Sequence, residues 1–169
     1  MGLIVGDWTH KKLVTRMARW LKGTKRMSVV FTELATRVSE TPDLIGWQSG
    51  ETTAPSVLIE CKVSRSDFLA DGKKWFRRYA DMGMGDLRYV AAPAGLLTAD
   101  EMPEGWGLLE VARYVRVTKE ADKMPACKGR ECVMLVSALR RLEIATAVYV
   151  VADENAVSVD DNAATKETP

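Results

Sequence analysis

Histidine occurs once in the 169 residues, as His10. One imidazole is too few for a multi-histidine zinc hydrolase site and argues against histidine-based nucleophilic chemistry. Cysteine occurs three times, at Cys61, Cys127 and Cys132. An odd, small number argues against a disulfide framework and points to a reducing, cytoplasmic setting. Cys127-x4-Cys132 has no second pair and no neighbouring histidine to complete a zinc site. No apolar run approaches the roughly 20 residues of a membrane span, so no membrane partner is expected. The opening Met1-Gly-Leu-Ile-Val lacks the basic and long apolar regions of a secretory leader. There is no G-K-[ST], so Met82-Gly-Met-Gly85 reads as a turn and not as a phosphate loop. No internal repeat is visible.

The charge is balanced only in total. The net is +1, yet residues 151–169 carry five acids and one base, which leaves 23 bases against 18 acids in residues 1–150. A chain of this length suits one domain over 1–150 followed by an acidic, flexible tail over 151–169. A net +5 body is compatible with a polyanionic partner without specifying one.

Hydrophobic periodicity supplies the elements. Leu13, Met17, Trp20 and Leu21 recur at helical spacing over 8–22, with Asp7 or Thr9 as cap and Gly23 as stop. The opposite face carries Lys11, Lys12, Arg16, Arg19 and Lys22, either a solvated face or one that meets phosphate. Residues 27–34, 43–47 and 56–63 read as strands, with a polar hairpin loop between the last two. A helix follows over 65–80, then a strand over 87–92, one bent strand or a hairpin over 107–118, and a helix over 131–146. In that last helix Cys132, Leu135, Val136, Leu139 and Leu142 are expected inward. The order implies an α/β (α+β) fold, with a central mixed β-sheet flanked by helices.

One stretch stands out. Val57-Leu-Ile runs straight into Glu60-Cys61-Lys62. Glu60 and Lys62 are two apart on a strand and share a face, while Cys61 points the other way, into core. Glu33 ends the first strand and Asp43 begins the second, so pairing of these strands would bring both carboxylates to one sheet edge. Converging carboxylates repel in a dry site unless a cation joins them. Hard oxygen ligands without a converging histidine favour Mg2+ or Mn2+, and the Cys61 backbone carbonyl could add a ligand. Such an ion polarises a phosphate oxygen and activates water. A lysine beside it can position that water, help deprotonate it, or neutralise developing charge.

Pro42-Asp43 followed 17 residues later by Glu60-Cys61-Lys62 resembles the PD-(D/E)XK nuclease superfamily pattern. The continuation through Ser64, Asp67, Phe68, Asp71, Lys74, Trp75 and Tyr79 resembles the MmcB-like DNA-repair branch and its phage relatives, over about residues 28–112. One extra residue before Lys74-Trp75 departs from that block. The resemblance implies a restriction-endonuclease-like core and a Mg2+- or Mn2+-dependent nuclease acting on DNA in repair, recombination or phage metabolism. It implies Asp43 and Glu60 as metal ligands, Lys62 as the catalytic lysine and Glu33 as an additional acid. Lys11, Lys12, Arg16, Lys74, Arg77 and Arg78 are the candidates for nucleic-acid contact, as phosphate ligands or, for the second group, as partners of Asp67 and Asp71 in intrahelical ion pairs. RNA stays open as a substrate, and a homodimer is one way to cut two strands. The rival reading is a catalytically silent module of the same fold that binds DNA or a partner protein.

Overall fold

The computed structural model describes residues 8–37, 40–50, 52–72, 80–141, 149–152 and 155–158. The expected first helix is α1, His10–Gly23, capped by the Thr9 side chain, which accepts from the Lys12 N–H. Its inward residues are the apolar ones of the sequence pattern, Leu13, Met17, Trp20 and Leu21, joined by Val14. Strands β1 (Val29–Thr32), β2 (Leu44–Trp47) and β3 (Val57–Cys61) follow, then helix α2 (Arg65–Asp71). Strand β4 (Leu87–Pro93) and a hairpin of β5 (Gly107–Val111) and β6 (Val115–Lys119) complete the sheet before helix α3 (Lys128–Arg141). Trp75, Phe76 and Tyr79 of the expected second helix lie outside the described residues.

The six strands stand in sequence order, β1 to β6. β1, β2 and β3 pair antiparallel, β3, β4 and β5 pair parallel, and β6 returns antiparallel to β5. The result is a mixed sheet of the α+β class. Each face buries its own apolar cluster. Val57, Ile59 and Cys61 of β3 pack with α1, while Leu58 packs with Ile45, Val90, Leu108 and Met134 on the opposite face. The period-two alternation of a strand thus serves both layers.

The chain divides into two compact units, residues 1–134 and 135–169. In the second, β7 (Tyr149–Ala152) pairs antiparallel with β8 (Asn155–Ser158). That hairpin falls partly in the stretch read from composition as a flexible tail; the β-branched residues Val150, Val151 and Val157 account for its strand character.

Helix α3 starts three residues earlier than its apolar pattern suggests, and its rotation corrects that pattern. Buried on it are Glu131, Met134 and Ala138, whereas Val136 and Leu139 are exposed, as is Cys132. The cause is a polar network. Glu131 accepts from the Trp47 indole, the Ser56 hydroxyl and the Gly85 backbone N–H, all at 2.9 Å. Lys128 donates to Glu131 and to Asp86, which also accepts from the Ser56 N–H. Burial would raise the Asp86 pKa, but the Lys128 ammonium and the Ser56 donors together hold it below the ordinary aspartate value. A buried carboxylate with three neutral donors and an ammonium outweighs the burial of a valine on the helix beside it.

Gly107 is required by a close approach. A Cβ there would overlap the Tyr89 ring and lie 2.7 Å from the Lys119 carbonyl oxygen. Tyr89 cannot swing aside, because its hydroxyl donates to Glu120 at 2.8 Å. Gly107→Ala is expected to destabilise by about 2 kcal/mol or more, lowering Tm by roughly 5 °C or more. Calorimetric melting tests this, and an unchanged Tm would show that the β4–β5 contact is loose.

Candidate functional site

β3 is buried along its whole length, and its last residues carry the site. Glu60 is 3% exposed and Lys62 5%. The Lys62 N–H donates to the Ala91 carbonyl, so the extended backbone runs one step past β3 and keeps Lys62 on the Glu60 side. Its Nζ lies 3.7 Å from Glu60 Oε2, 3.2 Å from Asp71 Oδ1 and 4.0 Å from Asp67 Oδ1. Both aspartates come from α2, whose start is fixed by the Ser64 hydroxyl accepting from the Asp67 N–H. Four residues apart, they share a helix face. Asp67 and Asp71 therefore turn to Lys62, instead of only to basic residues of their own helix.

Asp43 reaches the site from the neighbouring strand. Leu44 pairs with Ile59, so the register carried one residue further sets Asp43 opposite Glu60. Asp43 Oδ2 accepts from the Cys61 N–H at 2.7 Å. Because the N–H and C=O of a strand residue face the same neighbour, the Cys61 carbonyl points to the Asp43 side as well. Glu33 follows β1 with a φ of 49°, and its N–H donates to the Asp43 carbonyl. This left-handed turn, uncommon for a residue with a Cβ, starts the chain away from the sheet at the site.

The histidine that composition set aside converges here. His10, the first residue of α1, places Nε2 3.2 Å from Asp43 Oδ2 and Nδ1 3.6 Å from Glu33 Oε1. One ligand atom from each of His10, Glu33 and Asp43 lies within 4.8 Å of the others. An ion with bonds near 2.1 Å holds its donors at most about 4.2 Å apart, so roughly half an ångström of side-chain adjustment would close this set. Two carboxylates and an imidazole are donors that could hold a divalent cation.

The electrostatics are lopsided. Glu60, Asp71, Asp67 and Asp43 surround one ammonium. Burial pushes the Lys62 pKa down, but Glu60, Asp71, Asp67 and Asp43 together push it up further, and the net is a rise. Lys62 is a persistent cation. Cys61 behaves oppositely: burial first, then Asp43 and Glu60, drive its thiol well above the ordinary cysteine value. It is a neutral core side chain, as its place in the strand alternation implied.

Of the candidate nucleic-acid contacts, Lys11, Lys12 and Arg16 line a groove of about 460 Å³ on the outer side of α1, together with Trp8, Thr15 and Arg19. Lys74, Arg77 and Arg78 lie outside the described residues. His10 and Asp71 are the site residues whose placement the sequence did not reveal. The i, i+4 spacing of Asp67 and Asp71 beside Lys62 was a usable signal; nothing comparable marked His10.

No protein-family model matches the chain, and no curated protein matches it. A solved structure from Silicibacter pomeroyi, of a protein of unknown function, is similar in fold, with a TM-score of 0.59 and 24% sequence identity over 83% of this chain and 93% of that one.

Proposed function

We propose that this chain is a divalent-metal-dependent nuclease that hydrolyses DNA phosphodiester bonds on a restriction-endonuclease-like core. The observation that carries the reading is the Asp43 carboxylate bonded to the Cys61 N–H at the end of β3, where Glu60 carries Lys62 on its carboxylate. Glu33, Asp43 and His10, whose ligand atoms converge, would hold the cation, with Glu60 and the Cys61 carbonyl of the neighbouring strand end completing the set. A bound Mg2+ or Mn2+ would polarise the phosphate and activate water.

The remaining work falls to Lys62. Its raised pKa unsuits it as a general base, which must be able to shed its proton near working pH. Its role is electrostatic: a fixed positive charge facing the negative charge that develops on the phosphate oxygens. Asp71 and Asp67 position it. The basic face of α1 supplies phosphate contacts beside the site.

One observation favours the rival reading of a silent DNA- or protein-binding module. Lys62 is almost wholly buried and already engaged by Glu60 and Asp71. Incubation of plasmid, single-stranded and branched DNA with Mn2+ separates the two. Cleavage by the wild type that falls by 100-fold or more in Glu60→Gln supports the nuclease. DNA retention without cleavage of any substrate supports the silent module.

A further inference from the structure

We infer that the outer face of α1 and the tip of the β5–β6 hairpin form one continuous surface that holds single-stranded DNA. The inference rests on the nuclease reading for the identity of the polymer, but its geometry is independent of the carboxylate site.

The α1 segment His10–Gly23 contains no acidic residue, and Lys11, Lys12, Arg16 and Arg19 project from its outer side. Arg16 ties this face to the hairpin by donating to the Arg113 carbonyl at 3.2 Å. At the tip, Tyr114 is 71% exposed and the Arg113 guanidinium lies 5.6 Å from its ring centroid. The Ala112 N–H donates to the Tyr114 carbonyl, so the ring stands on a closed turn. Trp8 lines the same groove, half-buried against the core.

The sheet register places this surface beside the site. Cys61 pairs with Ala91 and Ala91 with Leu109, while Val111 pairs with Val115 across the hairpin. The hairpin turn therefore lies at the same end of the sheet as Cys61, Lys62 and Asp43. From β2 to β5 is three strand spacings, about 14 Å. A few nucleotides of extended strand cover that distance.

The combination selects a single strand over a duplex. Cations alone would serve phosphates of either form. An exposed tyrosine backed by arginine is a stacking platform, and only an unpaired strand offers base faces along its length.

Fluorescence anisotropy with a labelled thymidine homopolymer of about 20 nucleotides and a duplex of equal length, in EDTA, tests the surface without cleavage. The single strand is expected to bind tighter than the duplex. Tyr114→Ala should weaken it roughly ten-fold while Tyr114→Phe keeps it, because stacking needs the ring and not the hydroxyl. Lys11→Glu with Arg19→Glu should weaken both DNAs and flatten the salt dependence. Duplex preference, or single-strand binding unmoved by Tyr114→Ala, overturns the inference, as does failure of the single strand to bind. Cleavage with duplex preference would leave the nuclease reading standing without this one. Single-strand binding without cleavage would leave this one standing alone.

Discussion

Lys62→Met is expected to destabilise the protein by about 3–5 kcal/mol, the cost of leaving buried carboxylates without their counter-charge. Methionine fills most of the volume, so packing contributes little. Glu60, 3% exposed, and Asp71, itself buried, keep their negative charges and lose the ammonium between them. The double variant Lys62→Met/Asp71→Asn should recover part of the loss, because one of the two stranded charges is gone. Urea unfolding measures both.

The pH dependence gives that result a sign. In the wild type the folded state raises the Lys62 pKa, so the native chain holds this proton more tightly than the unfolded one. The contribution of Lys62 is whole below the ordinary lysine pKa and fades as pH rises through the folded value. In Lys62→Met the stranded carboxylates bind protons more tightly when folded than when unfolded, so the deficit should shrink as pH falls from 8 towards 5. A deficit below about 1 kcal/mol at pH 8 would mean that water, and not Lys62, compensates these acids.

The legible part of the fold is the part governed by local period. Glu60 and Lys62 on one side of β3 with Cys61 on the other follow from strand alternation alone, and the inward stripe of α1 follows from helical spacing. The rotation of α3 was not legible. An amphipathic count of its apolar residues turns Val136 and Leu139 inward, but Glu131 is anchored by Trp47, Ser56 and Gly85, all distant in sequence. A polar residue buried by long-range partners looks like a surface residue in a periodicity argument. His10 escaped for the same reason, since it meets Glu33 and Asp43 only when α1 crosses the sheet. The absence of a converging histidine, which had favoured an all-oxygen site, therefore does not hold. Strand patterns set the acids at the edge; tertiary packing brings the imidazole to them.

Asp43 separates structure from charge, and two substitutions should part the two. In Asp43→Asn the amide oxygen can still accept from the Cys61 N–H, now bonded at 2.7 Å. Stability should change by less than about 1 kcal/mol, with relief of repulsion against Glu33 and Glu60 offsetting a weaker hydrogen bond. If Asp43 holds the proposed cation, affinity for Mn2+, read by calorimetry, should fall on the order of 100-fold, because a charged hard ligand becomes neutral. On the proposed nuclease reading, cleavage should fall at least as far. In Asp43→Ala the Cys61 N–H also loses its acceptor at a part-buried strand end, which adds about 1–3 kcal/mol of destabilisation. Mn2+ binding in Asp43→Asn equal to wild type would show that Asp43 serves only as the cap of β3, and the cation would then have to sit elsewhere. Loss of binding in the asparagine variant with its stability intact assigns Asp43 to the ion directly, since the asparagine keeps the fold and removes only the charge.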